Sequence, residues 1–309
     1  MKRTMSFLVI LLLIALGAGY FIIPGDTTIV TEIAIKAPMA RTGDLLARQN
    51  FWAKWWPLPI DSNHAAYNGT LFRVDGREGN VIETQIIHKD LGTLSGRILM
   101  AGPLVDSTGL EWSVTTNLGS GPLARVKNYF AAKKLKSDMD AVLRALKKFA
   151  ERQENIYGMA IEKTRVTDTV LVATRAGYDH YPNTEDIYKM VDKLKAYIES
   201  ENATETNAPM LNIQRVDSSH FEAMVAIPTN RLLNDKGDIK QKRMVPGNII
   251  WGQVKGGQAT VEYALQQLEN YKYDNRLTSP AIPFALLLTD RRAEPDTSKW
   301  ITRVYYPIF

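Results

Sequence analysis

The residues able to do chemistry are few. The four histidines, His64, His88, His180 and His220, show no H-x-x-x-H or comparable ligand spacing, so each is read as structural or surface and no metal site is assigned. The 309-residue chain has no cysteine, which removes disulfides, thiolate nucleophiles and zinc–cysteine sites. No G-x-S-x-G elbow is present, and Gly256-Gly257 lacks the rest of a phosphate loop and reads as a turn. Glu222, on a strand pattern, and Glu262, on a helix pattern, would serve as acid or base only if desolvated, and a solvated carboxylate is the commoner outcome. No catalytic residue and no cofactor is assigned from these residues. What remains is the chemistry of aromatic rings, which give apolar area at low rotamer cost and, in Tyr and Trp, one polar handle each. Tyr178, Trp251 and Tyr305 are the sharp ligand-binding candidates, while for Tyr263 and Trp300 core filling weighs equally.

The elements that must position these rings follow a repeated plan. A strand ends near Arg175, Gly177 and Tyr178 form a turn, and Ile187, Val191, Leu194 and Ile198 then make one stripe of a 3.6-period helix. The plan returns with a strand from Ile250, a glycine at Gly256 and a helix stripe of Val261, Leu265 and Leu268. From Gly177 to Gly256 is a step of 79, as is Pro228 to Pro307. From Tyr197 to Tyr271, and from Pro209 to Pro283, the step is 74. Two consistent offsets predict a duplicated strand–helix–strand–strand unit over residues 160–309.

Upstream, Thr28 to Lys36 alternates as a strand, and residues from about Arg41 to Trp56 read as a helix closing on the aromatic group Phe51, Trp52, Trp55 and Trp56, which is read as core packing. Strand patterns follow at Ala66–Val74, Val81–His88, Thr93–Ala101 and Leu110–Asn117, with Asn68-Gly69 as a turn or bulge inside the first. In the last strand, Leu110, Trp112 and Val114 share one face. Ser137-Asp138-Met139-Asp140 resembles a capping box opening a helix with the stripe Met139, Val142, Leu143, Leu146, Phe149 and Ala150. Gln153 to Gly158 reads as a linker. An antiparallel sheet with one helix laid across it buries both apolar faces.

Lys2 and Arg3 precede an uncharged run from Met5 to Ile23, stopped by Pro24, Gly25 and Asp26. About twenty apolar residues span a bilayer, and the leading positive charge places the N-terminus in the cytoplasm. A retained transmembrane anchor over residues 1–25 is favoured over a cleaved signal peptide, whose apolar region is shorter and followed by small residues, whereas Tyr20 to Ile23 follow here. The soluble parts would lie outside the cytoplasm. The net charge of +5 is spread through the chain, with small clusters at Lys133, Lys134 and Lys136 and at Lys240, Lys242 and Arg243. This gives no nucleic-acid face, and no protein partner can be named.

The order strand, Ala-Pro, helix ending in Trp-Trp-Pro, several strands and the helix LKSDMDAVLRALKKFAER resembles the START/polyketide-cyclase-like (SRPBCC) superfamily over residues 26–153. That resemblance implies a helix-grip fold with a cavity between the sheet and the C-terminal helix. Residues 160–309 resemble the GyrI-like effector-binding domain, and Trp300, Thr302, Tyr305 and Pro307 stand at its terminal W-x-T-x-x-Y-x-P pattern. This second resemblance implies two pseudo-twofold repeats with a small-molecule groove between the two helices and over the sheet, lined by the five aromatics. The family often carries Glu and Tyr where Ala285 and Leu287 stand here, and an acidic residue where Arg303 stands. A buried cation without a counter-charge is costly, so the departure points to a neutral or anionic ligand.

The expected protein is α+β, with one N-terminal transmembrane helix, a helix-grip antiparallel sheet domain and a duplicated GyrI-like domain. It is a single-pass membrane protein that binds a small apolar or amphipathic molecule without catalysis. The alternative is a hydrolase or cyclase of a small hydrophobic substrate in one of the two cavities, and a third reading is a structural or partner-binding role for a pair of closed folds.

Overall fold

The computed structural model describes residues 22–60, 65–279 and 281–308, and its chain divides into two compact units, residues 1–152 and 153–309. The run read as a membrane anchor lies outside the described residues except for its last two, and so does His64. Among the described residues no helix is long and apolar enough to cross a membrane. Each unit is α+β and built on one antiparallel sheet.

The first unit contains β1 (Asp26–Ile35), α1 (Met39–Ala47), a 3-10 turn (Gln49–Lys54), β2 (Ala65–Tyr67), β3 (Thr70–Glu78), β4 (Val81–His88), β5 (Gly92–Leu104), β6 (Ser107–Asn117) and α2 (Pro122–Ala150). Its sheet order is β1-β6-β5-β4-β3-β2. Asn68 and Gly69 both have positive φ (50° and 83°), so the single strand expected from Ala66 is two strands joined by a tight hairpin. The helix expected to begin at Ser137 begins at Pro122, after Gly121 as N-cap. Proline at the first position suits a helix start, because its missing N–H would be unpaired there anyway. The capping-box sequence therefore lies mid-helix, and Asp138 is buried, its Oδ1 accepting from Asn68 Nδ2 at 2.7 Å.

The aromatic group near Trp56 is core. Trp52 stacks on Trp56 at 4.8 Å, Trp56 meets Phe72 at 5.5 Å, and Phe72 meets Trp112 at 5.6 Å. Each buried indole N–H is bonded: Trp52 to Leu46 O, Trp55 to Leu45 O, Trp56 to Ala66 O and Trp112 to Thr84 Oγ1. Those bonds remove the penalty of burying a polar atom, so the rings can lie in the interior of the unit, where Leu135, Met139 and Leu146 of α2 are buried as well.

His88 ends β4 in the same interior. Its Nδ1 accepts from the backbone N–H of Asp90 and Leu91, and burial holds its pKa below the ordinary 6.5 despite Asp90 and Asp138 nearby. The unfolded chain then takes up this proton at higher pH than the folded chain does. Stability is flat above about 6.5 on this account and falls as the pH drops from there towards the folded-state value. In His88→Asn, whose amide oxygen can accept the same bonds, that loss between pH 7 and pH 5.5 should disappear. Urea denaturation of both proteins at the two pH values checks it, and equal losses in the two would show that His88 is not the cause.

The second unit opens with a short helix, α3 (Gln153–Tyr157), where a linker was expected. Tyr157 is buried, donates to Asp274 Oδ2 at 3.0 Å and packs edge-on against Tyr271, so this segment belongs to the core of its unit. Then come β7 (Glu162–Arg165), β8 (Val170–Tyr178), α4 (Thr184–Ser200), β9 (Met210–Arg215), β10 (Phe221–Pro228), β11 (Lys240–Arg243), β12 (Asn248–Lys255), α5 (Gln258–Asp274), β13 (Phe284–Leu287) and β14 (Ile301–Ile308). The strand order β11-β8-β10-β9-β13-β14-β12-β7 reads the same repeat from both ends. The helices start and end 74 residues apart, as do the starts of β9 and β13. One feature exceeds the expected four-element repeat. Each repeat's leading strand pairs with the other repeat, β7 with β12 and β11 with β8. The halves join at the centre through Leu211 opposite Ala285 and Met210 opposite Leu286.

The equivalent glycines differ. Gly256 has φ of +149° with the Thr260 side chain pressed where a Cβ would sit, whereas Gly177 is in open space within β8. Before α4 the chain instead uses a capping box: Asn183 Oδ1 accepts from Asp186 N at 3.0 Å, and Asp186 Oδ2 accepts from Asn183 N at 3.1 Å.

Candidate functional site

Side chains alternate across each strand, so the eight-stranded sheet has two distinct faces. Val172, Leu211, Ala223, Val225 and Ile227 pack under α4, and Ile250, Ala285, Val304 and Ile308 pack under α5. Two helices on two half-sheets leave a seam over β9 and β13. A cavity of about 370 Å³ lies there.

Its floor is apolar, formed by Leu211 and Ile213 of β9 and Ala285 of β13, with Val261 and Leu265 of α5 and Phe221 of β10 as walls. The polar groups come from three places. Gln258 and Glu262 sit one turn apart on α5, so both point the same way. Tyr181 comes from the loop between β8 and α4, which is five residues long where the second repeat has two, Gly256 and Gly257. Arg215 and Arg291 complete the lining.

Gln258 Nε2 donates to Tyr181 Oη and, at 3.1 Å, to Glu262 Oε1. Burial, and after it the Glu262 carboxylate, push the Tyr181 phenol well above the ordinary tyrosine range. Tyr181 is therefore a phenol near neutrality, a donor and not a base. Its ring is held edge-on against Phe221 at 5.5 Å.

Arg291 is 5% exposed. Its guanidinium lies 4.7 Å over the Trp300 ring, and Nη2 donates to the buried Thr302 hydroxyl at 3.2 Å. Its backbone N–H donates to Tyr188 Oη at 2.8 Å, and Trp300 Nε1 is fixed to Glu294 O at 2.7 Å. Burial pulls the Arg291 pKa down, and the Tyr188 and Tyr181 phenols oppose this. Arginine stays charged through a shift of this kind.

The structure brings together a different set of residues from the five expected aromatics, none of which is among the residues lining this cavity. Trp251 and Tyr305 are placed away from the helices: Ile250 and Val304 point to the helices, so their chain neighbours Trp251 and Tyr305 occupy the opposite sheet face. There they stack with Phe284, at 6.1 Å between Trp251 and Tyr305 and 5.0 Å between Tyr305 and Phe284. Tyr178 packs on the α4 side, its hydroxyl 3.5 Å from Met190 Sδ. Tyr263 is 55% exposed on α5, lying against Gly158. Trp300 supports Arg291 from beneath. The opposite sheet face holds a second cleft of about 260 Å³, apolar through Met210, Met224, Met244 and Phe284 and edged by Arg175, Lys242 and Arg243. Among the described residues no group of three or more His, Asp or Glu side chains is placed to hold a metal ion.

Sequence reasoning missed Tyr181, Gln258, Arg215 and Arg291. Arg291 and Arg292 look alike in the sequence, and only packing separates a buried guanidinium from one paired with Asp192 at 2.7 Å. Tyr181 had one available signal, the longer loop that the shift from 79 to 74 implied.

No protein-family model and no curated protein matches the chain. Among solved structures, the C-terminal domain of EcmrR is 12% identical, covers 49% of this chain and 98% of its own, and has a TM-score of 0.42. SAV2435 bound to tetraphenylphosphonium is 13% identical over 49% of this chain and 94% of its own, with a TM-score of 0.33. The Zhui aromatase/cyclase from Streptomyces sp. R1128 is 16% identical over 41% of this chain and 95% of its own, with a TM-score of 0.29. Likenesses of this size carry no argument on function, which has to come from the cavity itself.

Proposed function

We propose that the second unit is a GyrI-like effector-binding domain that holds a small apolar or amphipathic molecule in the seam cavity without transforming it. The observation that supports this best is the cavity's make-up: about 370 Å³ with an apolar floor at the junction of the two halves and a few convergent polar groups above it. The absence of an activated nucleophile among the lining residues favours binding over catalysis. A hydrolase is the second reading, and the Glu262 carboxylate beside the Tyr181 phenol favours it, as a base with a proton donor at hand. The first unit is proposed as a START-like helix-grip domain.

The test is native mass spectrometry of the full chain extracted from membranes, together with calorimetric titration of 2-naphthamide, a neutral probe small enough for the cavity. A co-purified small molecule, or saturable one-to-one probe binding lost in Ala285→Phe, supports the reading. An unmodified chain that carries no molecule and binds neither this probe nor its charged analogues of the same shape refutes it. Turnover of the co-purified molecule that stops in Glu262→Gln would establish the enzyme instead.

We also propose that the N-terminal run is a retained anchor with both units outside the cytoplasm, on the strength of Lys2, Arg3 and the uncharged stretch behind them. A C-terminal alkaline phosphatase fusion should then be active and sediment with membranes. An inactive fusion overturns the orientation, and a mature chain starting near Asp26 overturns the anchor.

A further inference from the structure

We infer that the molecule taken by the seam cavity is an amphipathic monoanion, an apolar body bearing one carboxylate or similar acid group, and that Arg291 is the residue that holds the acid. The inference rests on the ligand-binding reading above and deepens it.

A buried guanidinium normally comes with a carboxylate, because an unpaired charge inside a protein is expensive. Arg291 has none: among the described residues no carboxylate lies within ion-pair distance of it, although it is 5% exposed. The next residue shows what pairing looks like. Arg292 meets both oxygens of Asp192, at 2.7 and 3.1 Å, on the outer surface. Arg291 instead rests on the Trp300 ring and gives one side-chain hydrogen bond, to Thr302. A guanidinium has five N–H donors, and this one lines the cavity with most of them uncommitted.

The second cation agrees with the first. Arg215 lies over the Phe221 ring at 5.4 Å and donates to Ser218 O at 3.1 Å, again with no carboxylate at ion-pair distance among the described residues. Glu262 is the single acid in the lining, already bonded to Gln258 and beside Tyr181. Two guanidiniums against one carboxylate leave the site one positive charge in excess. A ligand with a single negative charge balances it, and a planar carboxylate matches the fork of Arg291 with two parallel bonds. The apolar floor of Leu211, Ile213 and Ala285 takes the rest of the molecule. Because Trp300, Thr302 and Tyr188 fix Arg291 in advance, little ordering remains to oppose binding.

Three probes of one shape but different charge test this: 2-naphthoate, 2-naphthamide and 2-naphthylmethylammonium, titrated by calorimetry into the full chain in lipid nanodiscs, with empty nanodiscs as blank. Naphthoate should bind at least about tenfold tighter than naphthamide, as a charge-assisted bond implies, with the ammonium weakest. Arg291→Met should bring naphthoate down to the level of naphthamide while leaving naphthamide itself within about twofold. Arg291→Lys should keep part of the preference. If Arg291→Met does not fold, the exposed Arg215→Gln and the ratio in the unmodified chain decide, with the ratio falling a few-fold in Arg215→Gln. Naphthamide binding as well as naphthoate in the unmodified chain overturns the inference, as does an Arg291→Met ratio that stays where it was. In either case naphthamide binding that Ala285→Phe abolishes leaves the ligand-binding reading standing. Failure of all three probes, with nothing co-purified, removes both.

Discussion

Ala285→Phe should weaken 2-naphthoate binding by about a hundredfold or more, equivalent to about 2.7 kcal/mol or above. Ala285 is 3% exposed, lies on the short strand β13 and faces Leu211 across the central junction of the sheet. Its methyl group forms part of the cavity floor, so a benzyl group there projects into the space a ligand needs. The ring also meets Leu211, Val261 and Leu265 at close range, and such overpacking should cost the unit about 1–3 kcal/mol. The two effects are separable: far-UV circular dichroism and a urea titration report the fold, and calorimetry reports the site. Ala285→Ser, nearly the same size, should bind within a few-fold of the unmodified chain. Unchanged affinity in a folded Ala285→Phe protein would move the binding site away from the seam, and the Met-lined cleft on the opposite sheet face would be the place to look next.

Trp112→Ala should cost the first unit about 3–5 kcal/mol, a large part of the roughly 5–15 kcal/mol that holds a typical domain together. Trp112 is 2% exposed in the middle of β6, with its ring against Phe72 and its N–H bonded to Thr84 Oγ1 at 3.1 Å. Removing it opens a void beside Phe72 in the core and leaves the buried Thr84 hydroxyl without its donor. Trp112→Phe keeps most of the ring and loses the bond, so a smaller cost of about 1–3 kcal/mol is expected. Hydrogen exchange followed by mass spectrometry on peptides of β4, β5 and β6 measures both. Full protection of these strands in Trp112→Ala would show that the aromatic ladder is not what stabilises the sheet.

The sequence by itself determined most of the elements. Val81–His88 is a strand with the bounds its alternation predicts, because one face of β4 is buried and the other wet. Ile187, Val191, Leu194 and Ile198 are all buried, because a helix on a sheet hides one stripe. The 74-residue step recurs in the helices and in β9 and β13, since a duplicated unit carries its own local patterns with it. Tertiary structure decided the rest. Nothing local says that β7 and β11 exchange partners, because each pairs with a strand of the other repeat, and that choice depends on the sheet as a whole. Nothing local orients Trp251 or Tyr305 either. Ile249-Ile250-Trp251 and Val304-Tyr305-Tyr306 are apolar on both faces, so alternation gives no sign of which side meets the helices. The site depends most on this non-local information. Tyr181, Arg215, Gln258 and Arg291 come from separate segments and converge because two half-sheets meet at β9 and β13, leaving a gap that neither helix covers.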